Sequence, residues 1–217
     1  MLDTTSYLEK MSTKGLKLKR KENLELLLKT LELKDVYTFR HSERVAKFAT
    51  ILAKETSKFT DAALKRFYIG CLLHDIGKIK IPHKILNKSS FLTNKEYQII
   101  KNHPLIGIEL IKSHPLVGGW IAGYEDIIFS HHEKWDGSGY PKGLKKEEIP
   151  LNARIVAIAD AFDAMTSNRA YRNALSFEEA YEKIINGADA QFDSVLVEVF
   201  KKFYPLWIKV LNPNVDK

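Results

Sequence analysis

Residues 152–165 read NARIVAIADAFDAM, and their apolar, alanine-rich pattern predicts a helix. Ile155, Ile158 and Phe162 recur at helical spacing and form one apolar side. Asp160 lies within the same run, where a carboxylate without a partner would be costly to bury. The stretch therefore predicts a buried helix whose acidic side chain meets a cation or a metal.

Helical patterns continue on both sides of this stretch. Val45, Phe48 and Leu52 recur at helical spacing in the first half of the chain. Two further sequences have the form of capping boxes, in which a hydroxyl side chain and a glutamate three residues later start a helix. These boxes are Thr93–Glu96 and Ser176–Glu179, and Asp193 is predicted to cap a final helix toward Val210.

Loops and helix ends are marked by glycine and proline. Pro104 lacks an amide hydrogen, so the helix that starts at Thr93 must kink or stop there. Residues 117–131 read as another helix, with glycines only near its start. Residues 77–90 and 136–143 are predicted loops. Because no convincing alternating strand is present, the chain is predicted to form an all-α helical bundle.

Composition narrows the class of protein. The chain has 217 residues, 45% of them apolar, which is enough for a real core. Its net charge of +7 is compatible with an anionic ligand but does not by itself predict nucleic-acid binding, which we do not expect. Cys71 is the only cysteine, which excludes a disulfide framework and cysteine-based metal sites. We expect a cytoplasmic protein without a membrane span, because no apolar stretch approaches ~20 residues and no signal peptide is visible.

The N-terminal segment differs from the rest of the chain. Residues 1–35 are rich in lysine and then in leucine, whereas the pattern of the main domain occupies residues 36–217. We interpret the segment as a basic helix whose leucines pack on the main body. An arm that binds a membrane surface or a nucleic acid is the alternative.

Several histidines and carboxylates lie at places where helices end or are buried. His74 and Asp75 follow an apolar helix, as do His131 and His132. Taken singly, each has an ordinary structural explanation; Asp160, for example, could pair with Arg154 or Lys78. Together they fit a metal site inside a bundle, because side chains from several helices converge there. A nitrogen and oxygen ligand set without thiolate suits iron or manganese, and also zinc or nickel.

Three motifs make the sequence similar to a known family. They are His74-Asp75-Ile76-Gly77-Lys78, His103-Pro104 and the long string HHEKWDGSGYP at residues 131–141. The chain resembles the HD-GYP family, which comprises helical metal phosphodiesterases of the HD superfamily. The resemblance covers roughly residues 36–205.

The resemblance implies an interior binuclear metal site and a reaction. Family members hydrolyse cyclic di-GMP to the linear dinucleotide pGpG or to GMP. Two divalent ions, iron or manganese, are expected, and Asp75 is expected to bridge them. The glutamate that holds a third metal in some members is replaced here by Tyr37. The expected metal ligands are His41, His74, Asp75, His103, His131, His132 and Asp160.

The same resemblance implies residues that act on the substrate. Two metals activate a water and clamp the phosphate, and Lys78 is expected to contact a phosphate oxygen. Gly139 and Tyr140 are expected to border a guanine. Arg169 and Arg172 are expected to bind phosphate or guanine, although Ala170 replaces the proline usual between them.

Other functions remain open at this point. A related enzyme would hydrolyse a mixed GMP–AMP ring instead of cyclic di-GMP. A non-catalytic module that binds the messenger is disfavoured, because degenerate members lose ligands and none of the seven is missing. A nucleotide phosphohydrolase of the wider superfamily would not need the string at residues 131–141. A regulatory protein partner or a homodimer is compatible with the sequence.

Overall fold

The computed structural model describes residues 16–168 and 173–211 of the chain. Within these residues the secondary structure is helical, apart from one isolated bridge between Ala188 and Phe192. The all-α prediction is confirmed. The α-helices are α1 Leu16–Lys34, α2 Val36–Glu55, α3 Asp61–Leu72, α4 His83–Leu86, α5 Asn94–Lys101, α6 His103–Lys112, α7 Pro115–Gly118, α8 Glu125–Ser130, α9 Leu151–Thr166, α10 Phe177–Asn186 and α11 Ser194–Leu211, with short 3-10 helices at Ile76–Lys80 and Lys146–Glu148.

The predicted helix starts are present in the structure. Thr93 and Glu96 form a complete capping box at the start of α5, and Ser176 and Glu179 form another at α10. The Oδ1 atom of Asp193 accepts a hydrogen bond from the amide of residue 195 at 2.9 Å, at the start of α11. These side chains satisfy amide groups that a helix leaves without an internal partner.

Two predictions of local structure are wrong. The predicted loop at residues 77–90 contains most of the 3-10 helix Ile76–Lys80 and the whole of α4, His83–Leu86. Residues 117–131 do not form a single helix, because α7 ends at Gly118 and α8 begins only at Glu125. Between them Gly123 adopts a φ of +84°, in the left-handed region that a right-handed helix cannot contain. The break predicted at Pro104 is confirmed, since α5 ends at Lys101 and α6 starts at His103.

Helix α2 lies at the centre of the bundle. It packs against α1, α3, α9 and α11. The rings of Phe48 from α2 and Trp207 from α11 stack with centroids 4.8 Å apart, and Phe162 from α9 meets Trp207 edge-on at 5.3 Å. These fully buried aromatic side chains join three helices that are distant in sequence.

Helix α1 contributes leucines to the same apolar core. Leu24, Leu28 and Leu31 are buried, whereas Leu26 and Leu33 are exposed on the opposite side. Among the described residues, none of the helices is both long and apolar enough to cross a membrane.

We expect Leu31→Ala to lower the free energy of unfolding by about 2–5 kcal/mol, because it leaves a cavity in a packed core. Leu33→Ala, two residues further on and 78% exposed, is the matched control and is expected to change it by about 0.5 kcal/mol or less. Urea unfolding of the two variants measures the difference. Equal effects would contradict the packing of α1 as an integral part of the core.

Candidate metal centre

Five segments of the bundle direct polar side chains to one interior region. Helix α2 carries His41, and the chain after α3 carries His74 and Asp75. His103 lies at the start of α6, His131 and His132 directly follow α8, and Asp160 lies within α9. All seven side chains predicted as ligands lie in this region: His41, His74, Asp75, His103, His131, His132 and Asp160.

The approach of two of these segments depends on Gly77. A Cβ atom at this position would lie 1.9 Å from the carbonyl oxygen of His103 and 2.7 Å from the amide nitrogen of Gly107. Both contacts are to backbone, which cannot move aside as a flexible side chain can. Glycine at position 77 therefore lets the 3-10 helix after Asp75 pack directly on α6, which brings Asp75 beside His103.

Asp75 is shared by two groups of potential ligands. In each group, the candidate ligand atoms lie within 4.8 Å of one another. Both groups contain Asp75, whose side chain is 2% exposed. The first consists of His41, His74 and Asp75, and the second of Asp75, His103, His131 and His132. A carboxylate common to two ligand groups has the arrangement needed to bridge two metal ions.

Asp160 lies between the two groups. Its Oδ1 atom is 3.0 Å from Nε2 of His41, and its Oδ2 atom is 3.9 Å from Nδ1 of His132. The carboxylate that interrupts the apolar side of α9 therefore meets imidazoles. The cation Arg154, considered from the sequence as its partner, instead pairs with Asp193 at 2.6 Å.

Three of the imidazoles are oriented by hydrogen bonds from Nδ1 to backbone carbonyls. His74 donates to the carbonyl of Cys71 at 2.7 Å, and His103 donates to the carbonyl of Ile100 at 2.8 Å. His131 donates to carbonyl oxygens of the preceding turn at 3.0 and 3.1 Å. Because a carbonyl only accepts, Nδ1 of each ring must carry the proton. Nε2 is then free to bind a metal, as in most protein histidine sites.

Burial keeps three imidazoles neutral. It lowers the pKa of His74, of His131 and of His132, the last to about 3, and neighbouring imidazoles lower these values further. Neutral imidazole is the form that binds metals.

The carboxylates are ionised for a different reason. Burial alone would raise the pKa of Asp75, but Lys78 and the adjacent histidines outweigh burial, and the pKa lies well below its usual range. The pKa of His41 is raised, unlike that of the other three histidines described above. Burial would lower its pKa, but hydrogen bonds to Asp160 and Asp163 raise it to about 9.

The donor set fits a metal. Nε2 of His74 is buried and has no hydrogen-bond partner among the described residues. A buried imidazole nitrogen of this kind is rare in proteins and has the environment of a metal ligand. The imidazoles of His74, His131 and His132, together with the ionised carboxylate of Asp75, provide nitrogen and oxygen atoms without thiolate, the set that divalent transition metals bind. The cluster is therefore suited to divalent metal.

A second layer around His41 was not predicted from the sequence. Asp163 is fully buried and accepts a hydrogen bond from Nδ1 of His41 at 2.6 Å. Arg44 donates to both oxygens of Asp163, at 2.6 and 3.0 Å, and to the hydroxyl of Ser167 at 3.0 Å. The available signal was the spacing of Asp163, three residues after Asp160 on the same apolar helix.

Lys78 lies at the edge of the cluster. Its ammonium group donates to Oδ2 of Asp75, and its side chain is 18% exposed. It also lines two cavities beside the cluster, and its contact with a phosphate oxygen stays a prediction. The pairing with Asp75 was not predicted.

The loop of residues 136–143 folds back over the cluster. The ring of Tyr140 stacks on His132, with centroids 4.7 Å apart and an interplanar angle of 30°. A Cβ atom at Gly139 would lie 2.3 Å from the amide nitrogen of Lys134, so the close approach requires glycine. The buried carboxylate of Glu133, which sequence analysis passed over, accepts the backbone amides of residues 142 and 144 at 2.7 and 3.0 Å.

Two adjoining cavities open above the cluster. Their volumes are about 250 and 380 Å³, and both are lined by His41 and Lys78. Tyr37 lines the smaller cavity, and its ring lies parallel to that of His41 at 6.3 Å. Tyr140 lines the larger one. Arg169 and Arg172, predicted to bind substrate, lie outside the described residues.

Fold and cluster define an all-α bundle with a buried histidine–carboxylate centre suited to divalent metal. The family model of the HD domain matches residues 25–196. The chain belongs to the HD domain family, in its HD-GYP branch.

Sequence relatives agree with this classification, and a solved structure shares the fold. The chain is 41% identical over 181 residues to a cyclic di-GMP phosphodiesterase of Thermotoga maritima, covering 83% of this chain and 48% of that protein. It is 36% identical over 191 residues to a 3'3'-cGAMP-specific phosphodiesterase of Vibrio cholerae, covering 84% of this chain and 42% of the relative. The chain thus spans about half the length of these relatives. A solved HDG"Y"P protein from Bdellovibrio bacteriovorus shares the fold, with a TM-score of 0.62 and 20% identity, covering 77% of this chain and 52% of that one.

Proposed function

We propose that this chain is a metal-dependent phosphodiesterase that hydrolyses cyclic di-GMP to pGpG or GMP. The observation that carries the proposal is Asp75, a buried carboxylate shared by two groups of histidines beneath an open cleft. The relative with 41% identity is a cyclic di-GMP phosphodiesterase, which supports the same reaction and substrate.

The proposed cofactor is a pair of divalent ions, iron or manganese. The seven clustered side chains are the proposed ligands, with Asp75 as the bridge. When bound, two such ions supply an ionised water at neutral pH and offset the charge of the phosphate. Tyr37, whose ring lies parallel to that of His41, supports two ions over three, because a phenol is a poorer metal ligand than the glutamate that it replaces.

The proposed substrate contacts come from the walls of the cleft. The ammonium of Lys78 is placed to contact a phosphate oxygen and to offset charge that develops on it. Tyr140 lines the larger cavity, and it and the adjacent Gly139 are proposed to contact a base. Arg169 and Arg172 complete the proposed binding set, because arginine suits phosphate and guanine.

A second candidate substrate is the mixed cyclic GMP–AMP ring. The observation that favours it is the 36% identity to the cGAMP-specific phosphodiesterase of Vibrio cholerae. Both rings present the same phosphodiester backbone, so the metal chemistry would be unchanged. A binding module without activity is the remaining alternative.

We propose residues 36–217 as the phosphodiesterase domain and residues 1–35 as a segment that packs on it. Support comes from Leu24 and Leu31, which lie in the same core as α2. A cytoplasmic site of action belongs to the proposal, because the proposed substrate is a second messenger inside bacterial cells. A regulatory protein or a second copy of the chain is the proposed protein partner.

Metal removal tests the function. Protein stripped with a chelator is expected to lose turnover of cyclic di-GMP, and anaerobic reloading with iron or manganese is expected to restore it with about two ions per chain. Chromatography of the products separates pGpG from GMP. Faster turnover of cyclic GMP–AMP would favour the second substrate. Metal-loaded protein that cleaves neither ring would contradict the enzyme proposal.

A further inference from the structure

The imidazole of His132 differs from the other four in how its orientation is fixed. The other histidines of the cluster each donate from Nδ1 to a carbonyl or a carboxylate. Within the described residues, no such hydrogen bond reaches His132. The Oδ2 atom of Asp160 lies 3.9 Å from its Nδ1, beyond hydrogen-bond distance. Its ring instead stacks on Tyr140.

The position of Tyr140 is set by its own loop. Its amide donates to the carbonyl of His132 at 3.2 Å, so the loop returns to the residue whose ring it covers. Glu133, 3% exposed, holds the far side of the loop through both carboxylate oxygens, which accept amides of residues 142 and 144. Glu133 directly follows His132 in the sequence, and its carboxylate holds the loop that carries Tyr140.

We propose that Glu133 and Tyr140 are positioning residues for the metal ligand His132. The hydrogen bonds of Glu133 fix the loop, and the loop places the Tyr140 ring against the imidazole of His132. Stacking then fixes the orientation of this imidazole, as a hydrogen bond at Nδ1 does for the other histidines. The inference rests on the proposed role of His132 as a ligand. It differs from base stacking by substrate, because the Tyr140 ring already stacks on the imidazole in the free protein.

Two substitutions at Tyr140 separate the two roles. Tyr140→Leu removes the ring, and we expect metal affinity to fall by about 10–100-fold, the usual effect of losing a group that orients a ligand. Tyr140→Phe keeps the ring and is expected to stay within about twofold of wild type. Competition with a chelator measures the affinity, and the d–d absorption of cobalt-loaded protein reports the geometry. Unchanged affinity in Tyr140→Leu with a raised KM would overturn the proposal in favour of substrate stacking alone.

Glu133→Gln tests whether the hydrogen bonds from the loop to the Glu133 carboxylate are needed for metal binding. The amide keeps the size of the side chain but points an N–H group at a backbone N–H group, so the loop loses one of its two anchors. We expect weaker metal binding here too. Asp136→Asn is the matched control, since exposed Asp136 accepts the amide of Ser138 at 2.8 Å in the same loop. It is expected to leave metal affinity unchanged.

The metal affinities and cobalt spectra of these variants can be compared without measuring catalytic turnover. Wild-type protein that binds metal but cleaves no cyclic dinucleotide would contradict the proposed function, and the affinities would still test the positioning role. Thermal melting in the presence of chelator checks that each variant folds. Wild-type metal affinity and an unchanged cobalt spectrum in both Glu133→Gln and Tyr140→Leu would overturn the inference.

Discussion

Asp75→Asn is expected to reduce turnover of cyclic di-GMP by about 10³-fold or more, with loss of at least one metal per chain. Asparagine has a single, uncharged oxygen acceptor, whereas a bridging carboxylate shares one negative charge between two oxygens. Stabilisation of the transition state by metal ions lowers the barrier by several kcal/mol. A loss of about 4 kcal/mol corresponds to three factors of ten in rate.

The control for this variant is Asp61→Asn. Asp61 is exposed at the start of α3, so the same chemical change occurs away from the cluster. Steady-state kinetics and elemental analysis of both proteins give the comparison. If Asp75→Asn kept full metal content and more than about a tenth of the activity, Asp75 would not be the bridge.

Asp163→Asn is expected to weaken metal binding by about 10–100-fold without removing any ligand. Asp163 accepts from His41 on one side and from Arg44 on the other. An asparagine amide has only one accepting oxygen, so its NH₂ group must face a donor. The proton at Nδ1 of His41 then loses its acceptor, and the ring can adopt the tautomer whose Nε2 cannot bind metal.

The same variant is expected to lower the free energy of unfolding by about 1–3 kcal/mol, the cost of a buried donor left without a partner. Asp193→Asn is the matched control for this effect. Asp193 is also buried and pairs with an arginine, Arg154 at 2.6 Å, but outside the cluster. The Asp193→Asn variant should show a similar decrease in the free energy of unfolding and keep the metal affinity of the wild type. Equal metal affinities in the two variants would contradict the role of Asp163.

The seven candidate ligands were selected from motifs, and the structure brings their side chains together. Their motifs are short and each lies at a helix end or on a helix face, where the local pattern is informative. Their role as ligands stays a prediction that metal analysis of the variants tests. Arg169 and Arg172 fall outside the described residues, and their role as substrate contacts is likewise a prediction.

Sequence patterns did not predict the specific side-chain contacts between segments that are distant in the chain. His41 and Asp163 are separated by 122 positions and meet only because α2 packs on α9. Lys78 was assigned to the substrate, but its ammonium group also pairs with Asp75. The predicted helix at residues 117–131 was wrong, because glycines allowed a turn that the apolar pattern did not reveal.

Local patterns in the chain were enough to predict the helical class, the caps at Thr93 and Ser176 and the break at Pro104. Caps, periodicity and proline act over one or two turns of backbone, so a short window of sequence contains their causes. The orientation of each imidazole, the pairing of Asp163 with His41 and the fold of the loop around Glu133 were decided only by tertiary structure. These depend on how helices pack, which brings together groups whose separation in the chain carries no local signal.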